Sequence, residues 1–202
     1  MIFRFIFSLF LLLSLTLKVE AQDYNSYDFN QLYDLDVRSV YDIYEDRNTN
    51  IWLGTDIGLV QFNGVDFRLF SNENYNKSCT NIKQDDEGRI WFSNFGGQLF
   101  YVENEKVHVA IEMIDSKQFI GDYEVNFPEI TYFNQDGQKL TSFNLKTNKS
   151  QCEFFSEKGS IVTGIFENGS FLFVEQEPFP KGGKSKILIW EYDSKKHSTL
   201  KR

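Results

Sequence analysis

From Val40 to Phe70, apolar and polar residues alternate with a period of two, interrupted by short polar turns. Val40, Ile43 and Tyr44 precede an acidic-polar turn at Asp46–Asn50. Ile51, Leu53 and Thr55 then point one way and Trp52 and Gly54 the other, as a strand requires. Asp56–Gly58 turns the chain into a strand at Leu59–Phe62. Asn63-Gly64 is a two-residue hairpin signal ahead of Val65–Phe70. The pattern predicts four short antiparallel strands in about 31 residues.

The same pattern returns at once. Val40–Phe62 lies over Cys79–Tyr101 with a constant offset of 39 and no gap. Ile43 falls on Ile82, Asp46 on Asp85, Ile51-Trp52 on Ile90-Trp91, and Gly58 on Gly97. A second set of strands is therefore predicted at Asn81–Asp85, Ile90–Ser93, Gln98–Val102 and Lys106–Ala110. A period near 40 built of short strands is the signature of propeller blades. Further on, the rhythm persists without the signature. Ile130–Phe133, Gln138–Leu145 and Ser150–Phe155 predict a third blade. Ile161–Phe166, Ser170–Glu175 and Ile187–Tyr192 predict a fourth, around Asn168-Gly169 and a Pro180–Lys184 loop. The expected fold is all-β: a partial propeller of about four four-stranded antiparallel blades, near 40–70, 79–110, 118–155 and 160–201.

A lone four-stranded sheet cannot bury both faces, so blades must stack. Trp52 and Trp91 then fill the gaps between them, rather than serve as ligand platforms, because a repeated position is usually a packing position. Gly58 and Gly97 serve the turn after the Trp strand, where positive φ is easiest for glycine.

Ahead of the blades, Arg4 and the uncharged run Phe5 to Leu17 read as an export signal ending near Val19-Glu20-Ala21. As a helix that run reaches about 20 Å, short of a bilayer core of about 30 Å. The expected layout is a signal helix at 1–21 and a propeller segment at 22–202, exported to the periplasm or cell surface. The net charge of −8 argues against a nucleic-acid partner, which would need a basic face. Cys79 and Cys152 are expected as unpaired, half-buried thiols on separate strands, a disulfide being the alternative. Asp85, Asp86 and Glu87 lack the spacing of a calcium loop, so no metal or other cofactor is expected.

Glu45–Gly64, "EDRNTNIWLGTDIGLVQFNG", closely resembles the two-component regulator propeller repeat. Ile51-Trp52-Leu53-Gly54-Thr55 and Gly58-Leu59 fit its pattern in full. The second copy keeps Ile90-Trp91 and Gly97 but has Ser93-Asn94 for Gly-Thr and Gln98 for Leu. The resemblance implies the extracytoplasmic sensor propeller of a histidine kinase-type receptor, homodimeric when full-length. Its ligands, often glycan fragments, are sensed at the propeller face. This chain would be a front portion of such a receptor, without membrane span and output domains. The alternatives are a standalone secreted carbohydrate- or protein-binding propeller and a propeller hydrolase or lyase. No G-x-S-x-G, H-E-x-x-H or P-loop is present, and no enzyme activity is expected of this segment. Loops carry function on such scaffolds, which makes Asp56, Tyr75, Asn76 and Phe95 the candidate ligand residues.

Overall fold

The computed structural model describes residues 35–112, 120–134, 139–155, 160–167, 170–176, 187–193 and 198–201. The signal reading at 1–21, the turns at 136–137 and 168–169, and the loop at 180–184 lie outside the described residues.

Asp36–Arg202 forms one compact unit. Its described elements are sixteen strands in four separate four-stranded antiparallel sheets, each in simple up-and-down order. Blade 1 holds β1 (Val40–Glu45), β2 (Ile51–Thr55), β3 (Leu59–Phe62) and β4 (Phe67–Phe70). Blade 2 holds β5 (Cys79–Gln84), β6 (Ile90–Asn94), β7 (Leu99–Glu103) and β8 (Lys106–Ile111). Blade 3 holds β9 (Ile120–Asn126), β10 (Glu129–Asn134), β11 (Lys139–Asn144) and β12 (Lys149–Phe155). Blade 4 holds β13 (Ser160–Glu167), β14 (Ser170–Gln176), β15 (Ile187–Asp193) and β16 (Ser198–Lys201). The all-β, four-bladed expectation is met. Alternation alone missed β9 and β16, whose charged and hydroxyl residues interrupt an apolar pattern.

Both repeat indoles lie between successive blades. Trp52 joins Leu59 and Phe70 of blade 1 to Ile82, Ile90, Phe92 and Phe100 of blade 2. Trp91 joins Leu99 and Ile111 of blade 2 to Ile120, Tyr123 and Ile130 of blade 3. The third joint sets Phe133 and Leu140 against Phe171, Phe173 and Tyr192 of blade 4.

The acid of each repeat has a task that its turn position did not disclose. Asp46 Oδ1 accepts from the backbone N–H groups of Asn48 and Asn50, at 2.8 and 2.9 Å. Its Oδ2 accepts from Asn50 Nδ2 and from the Trp52 indole, both at 2.8 Å. Asp85 repeats this, taking Glu87 N and Arg89 N on one oxygen and Arg89 Nε and Trp91 Nε1 on the other. One carboxylate thus closes the hairpin and satisfies a buried indole that would otherwise forfeit its hydrogen bond to water. Strand pairing places Asn126 and Thr131 of blade 3 where blade 2 has Asp85 and Trp91. Acid and indole disappear together, as expected if each exists for the other. Burial works to raise the Asp46 carboxyl, but the hydrogen bonds from Trp52, Asn50 and Asn48 outweigh it and hold its pKa below the ordinary value.

The gap-free alignment needs one correction. Ile51 pairs with Phe62 in blade 1, whereas Ile90 pairs with Val102 in blade 2, so the offset becomes 40 after the Trp strand. Thr55 N donates to Gly58 O, but Asn94 N donates to Gln98 O across a turn longer by one residue. Gly58 and Gly97 both have positive φ, at 139° and 90°, yet they occupy different places in their turns. Gly54 is required for another reason. A Cβ there would lie 2.6 Å from the Cys79 carbonyl oxygen, where β2 meets β5 of the next blade.

Cys79 and Cys152 are both free and on separate strands, but neither is half-buried: Cys79 is buried and Cys152 exposed. Burial pushes the Cys79 thiol up to about 12, which makes it a packing residue at neutral pH.

A double-mutant cycle of Asp46→Ala and Trp52→Phe in urea unfolding should give a coupling of about 1–3 kcal/mol, because each change strands the other's partner. Gly54→Ala should destabilise the protein by roughly 1–3 kcal/mol in the same assay. Because the folded-state pKa of Asp46 is lowered, its stabilisation is complete above the ordinary value near ~3.9 and is lost as pH falls through the folded value. Unfolding free energy should therefore drop below about pH 4, and Asp46→Asn should flatten that drop.

Candidate functional site

Antiparallel order puts the β2–β3 and β6–β7 turns and the β4–β5 connection at one end of the strands. All four sequence candidates, Asp56, Tyr75, Asn76 and Phe95, lie on these loops. The structure gives them different work.

Asp56 holds the chain that leads into blade 1. Its Oδ1 accepts from Arg38 N at 3.0 Å and Ser39 N at 3.2 Å, and its own N–H donates to Ser39 O. Burial opposes the charge, but these backbone donors prevail and keep the Asp56 pKa below its ordinary value. Tyr75 is half-buried, its ring edge-on to Phe100 at 5.5 Å and its hydroxyl donating to Glu112 at 3.1 Å. That hydrogen bond, with burial behind it, raises the phenol's pKa. Asn76 caps its own turn by accepting from Ser78 N, and its carbonyl accepts from Asn94 Nδ2 at 2.8 Å. Asn94 also accepts Gln98 N, so one buried side chain ties the Asn76 loop to the turn that carries Phe95.

Phe95, like Asn76, is exposed. It is 44% exposed and packs on Tyr41, itself 43% exposed, with ring centroids 4.8 Å apart and planes inclined by 59°. Tyr41 is the second residue of β1 in the preceding blade, so the pair bridges two blades at their loop end. The Phe95 N–H donates to Ser78 O at 3.0 Å, the counterpart of the Asp56–Ser39 bond one repeat earlier. Sequence reasoning passed over Tyr41. Its signal was an aromatic at the second position of an inner strand, indistinguishable there from a core residue.

The inner strands are fastened to one another by short polar side chains at equivalent places. Asp42 Oδ2 accepts from Ile82 N at 2.7 Å, linking blade 1 to blade 2. Asn81 Nδ2 donates to Gly121 O at 2.7 Å, linking blade 2 to blade 3. Asp122 Oδ2 accepts from Phe166 N at 3.0 Å, linking blade 3 to blade 4. Lys83 adds to the second joint, its ammonium 2.6 Å from both Asp122 Oδ1 and the Tyr123 carbonyl. These bonds fix the loop ends relative to one another and so keep the Tyr41–Phe95 pair in one geometry.

Residues 34–56 match the family described as two component regulator propeller. No curated protein matches the chain by sequence. Among solved structures, the chain is similar to the extracellular domain of a protein described as a hybrid two component system of B. thetaiotaomicron. That match has a TM-score of 0.55 at 14% identity, over 83% of this chain and 25% of the other. A second extracellular domain of that description and organism gives 0.51 at 15%, over 81% and 29%. A virginiamycin B lyase from Staphylococcus aureus gives 0.56 at 8%, over 83% and 71%. The chain thus spans under a third of the two extracellular domains, and at these identities the likeness shows the β-propeller fold. Removing the exposed ring in Phe95→Ala should leave the unfolding midpoint within about 0.5 kcal/mol of wild type, whereas Asn94→Ala should cost roughly 1–3 kcal/mol.

Proposed function

We propose that this chain, which carries the two-component regulator propeller repeat, is the ligand-sensing propeller portion of an exported histidine kinase-type receptor. The observation that carries the reading is the Tyr41–Phe95 pair, two exposed rings held across a blade joint at the loop end. Exposed aromatic rings offer flat apolar area at little cost in side-chain entropy, and the Asn76 loop beside them supplies polar groups. A glycan fragment, with apolar C–H faces and a rim of hydroxyls, suits such a surface.

Two sheet faces with exposed apolar residues support membership of a larger ring. The row Ile43, Leu53, Val60 and Leu69 on blade 1 corresponds by strand pairing to a row in blade 2. In blade 2 that row includes Ile82, Phe92 and Phe100, all buried against blade 1. In blade 1 the ends of the row are exposed, Ile43 at 67% and Leu69 at 42%, while Val60 between them is buried. On blade 4, Ile187 is 64% exposed and Ile189 and Leu172 lie on the same outward face. Faces of this kind accept another blade.

The lyase likeness favours no second reading. Among the described residues the one histidine is His108, on the outermost strand of blade 2, its ring stacked on Tyr101 at 5.0 Å. It is not at the loop end.

Calorimetric titration with an oligosaccharide panel tests the proposal. Saturable binding without turnover is expected, and Tyr41→Ala or Phe95→Ala should weaken it roughly threefold to tenfold, the range for a ring contact of ~0.5–1.5 kcal/mol. New reducing ends appearing with time would show an enzyme instead, and binding untouched by both substitutions would remove the pair from the site.

A further inference from the structure

The β3–β4 hairpin of blade 1 turns through Asn63, Gly64, Val65 and Asp66, all four exposed. The Phe62 and Phe67 rings stack at its base with centroids 4.3 Å apart, and the Asn63 N–H donates to the Asp66 carbonyl at 3.2 Å. By antiparallel order this turn lies at the end of the strands opposite Tyr41 and Phe95.

Within the turn, Asn63 Oδ1 accepts two backbone N–H groups, from Val65 at 2.9 Å and from Asp66 at 2.8 Å. Two donors on one carbonyl oxygen polarise its carbon and stabilise negative charge that develops on the oxygen, as in an oxyanion hole. The adjacent nucleophile is the Gly64 backbone nitrogen, tethered so that attack on Asn63 Cγ closes a succinimide ring. The Gly64 N–H makes no hydrogen bond among the described residues. No atom lies within 4 Å of the place a Cβ on Gly64 would take, so the turn has room to close the ring.

We propose that Asn63 is a self-modification site, which the folded turn converts to aspartate through that succinimide. Gly64 N attacks Cγ, a C–N bond forms there, and the bond from Cγ to Nδ2 breaks. The Gly64 proton passes through solvent to the departing amide nitrogen, which leaves as ammonia. Water then adds to one of the two ring carbonyls. Addition at Cγ returns a proton to Gly64 N and leaves aspartate in a normal backbone. Addition at the main-chain carbonyl leaves isoaspartate, whose backbone is longer by one methylene. The two N–H donors face the Cγ oxygen, so the fold directs water to Cγ. The resulting carboxylate keeps the same two donors in charge-assisted bonds, which are the stronger kind. The whole conversion consumes one water, releases one ammonia and adds a negative charge beside Asp66. It stands whether or not the loop end binds a ligand.

Incubation of the full chain in mildly alkaline buffer, with and without urea, tests this, read by trypsin digestion and fragmentation mass spectrometry of the peptide 48–68. In the folded chain, conversion at Asn63 is expected ahead of Asn48 and Asn50 in the same peptide, with aspartate as the main product. The ratio of aspartate to isoaspartate should be roughly threefold or more higher in the folded chain than in urea. Asn63→Asp, which supplies the product directly, should leave the urea midpoint unchanged or raise it. An intact Asn63 in the folded chain once the unfolded chain has converted, the same product ratio in both states, or a lowered midpoint in Asn63→Asp would each overturn the proposal.

Discussion

The structure depends on a hydrogen bond between a buried indole and a carboxylate six residues before it. A four-stranded sheet with two apolar faces gains stability only by pressing against a neighbour, and tryptophan offers the largest side chain for that joint. Burying it would strand the indole N–H. Asp46 and Asp85 remove that difficulty and organise the preceding hairpin with the same side chain. Local turn chemistry and long-range packing are thus coupled in one residue. Blade 3 shows the coupling from the other side, having Asn126 and Thr131 in place of the pair. Its joint with blade 4 sets Phe133 and Leu140 against Phe171, Phe173 and Tyr192, and within blade 3 the Thr131 and Ser142 hydroxyls lie 3.3 Å apart.

Packing between blades is non-directional and would tolerate sliding. The polar fasteners Asp42, Asn81 and Asp122 supply direction, each bonding to backbone of the next inner strand. Arg47 reaches Asp86 and Arg68 reaches Glu105 across the first joint, at exposed positions where such pairs add little energy. Orientation therefore comes from the inner strands, and the proposed ligand surface lies at one end of those strands.

Much of this was legible in the residues. The period, the indoles and the glycines with positive φ follow from alternation and from what a turn requires. Two features were not. The one-residue lengthening of the blade 2 turn is invisible because Gly58 and Gly97 align in sequence while standing at different points of their turns. The acid also looked like ordinary turn chemistry, since Asp is common in hairpins for backbone reasons. Only the recurrence of the same spacing to tryptophan hinted at more. Of the site candidates, Phe95 faces solvent, whereas Asp56 and Tyr75 make contacts that exposure on a loop does not reveal.

Rigid joints hold the blade ends in fixed geometry, and the proposed sensing role would place ligands there. Hydrogen exchange of the indole N–H groups, followed by heteronuclear NMR, tests the central claim most directly. The account predicts that Trp52 and Trp91 exchange far more slowly than free indole, and that Asp46→Asn accelerates Trp52 alone. Exchange of both at the free-indole rate would contradict it.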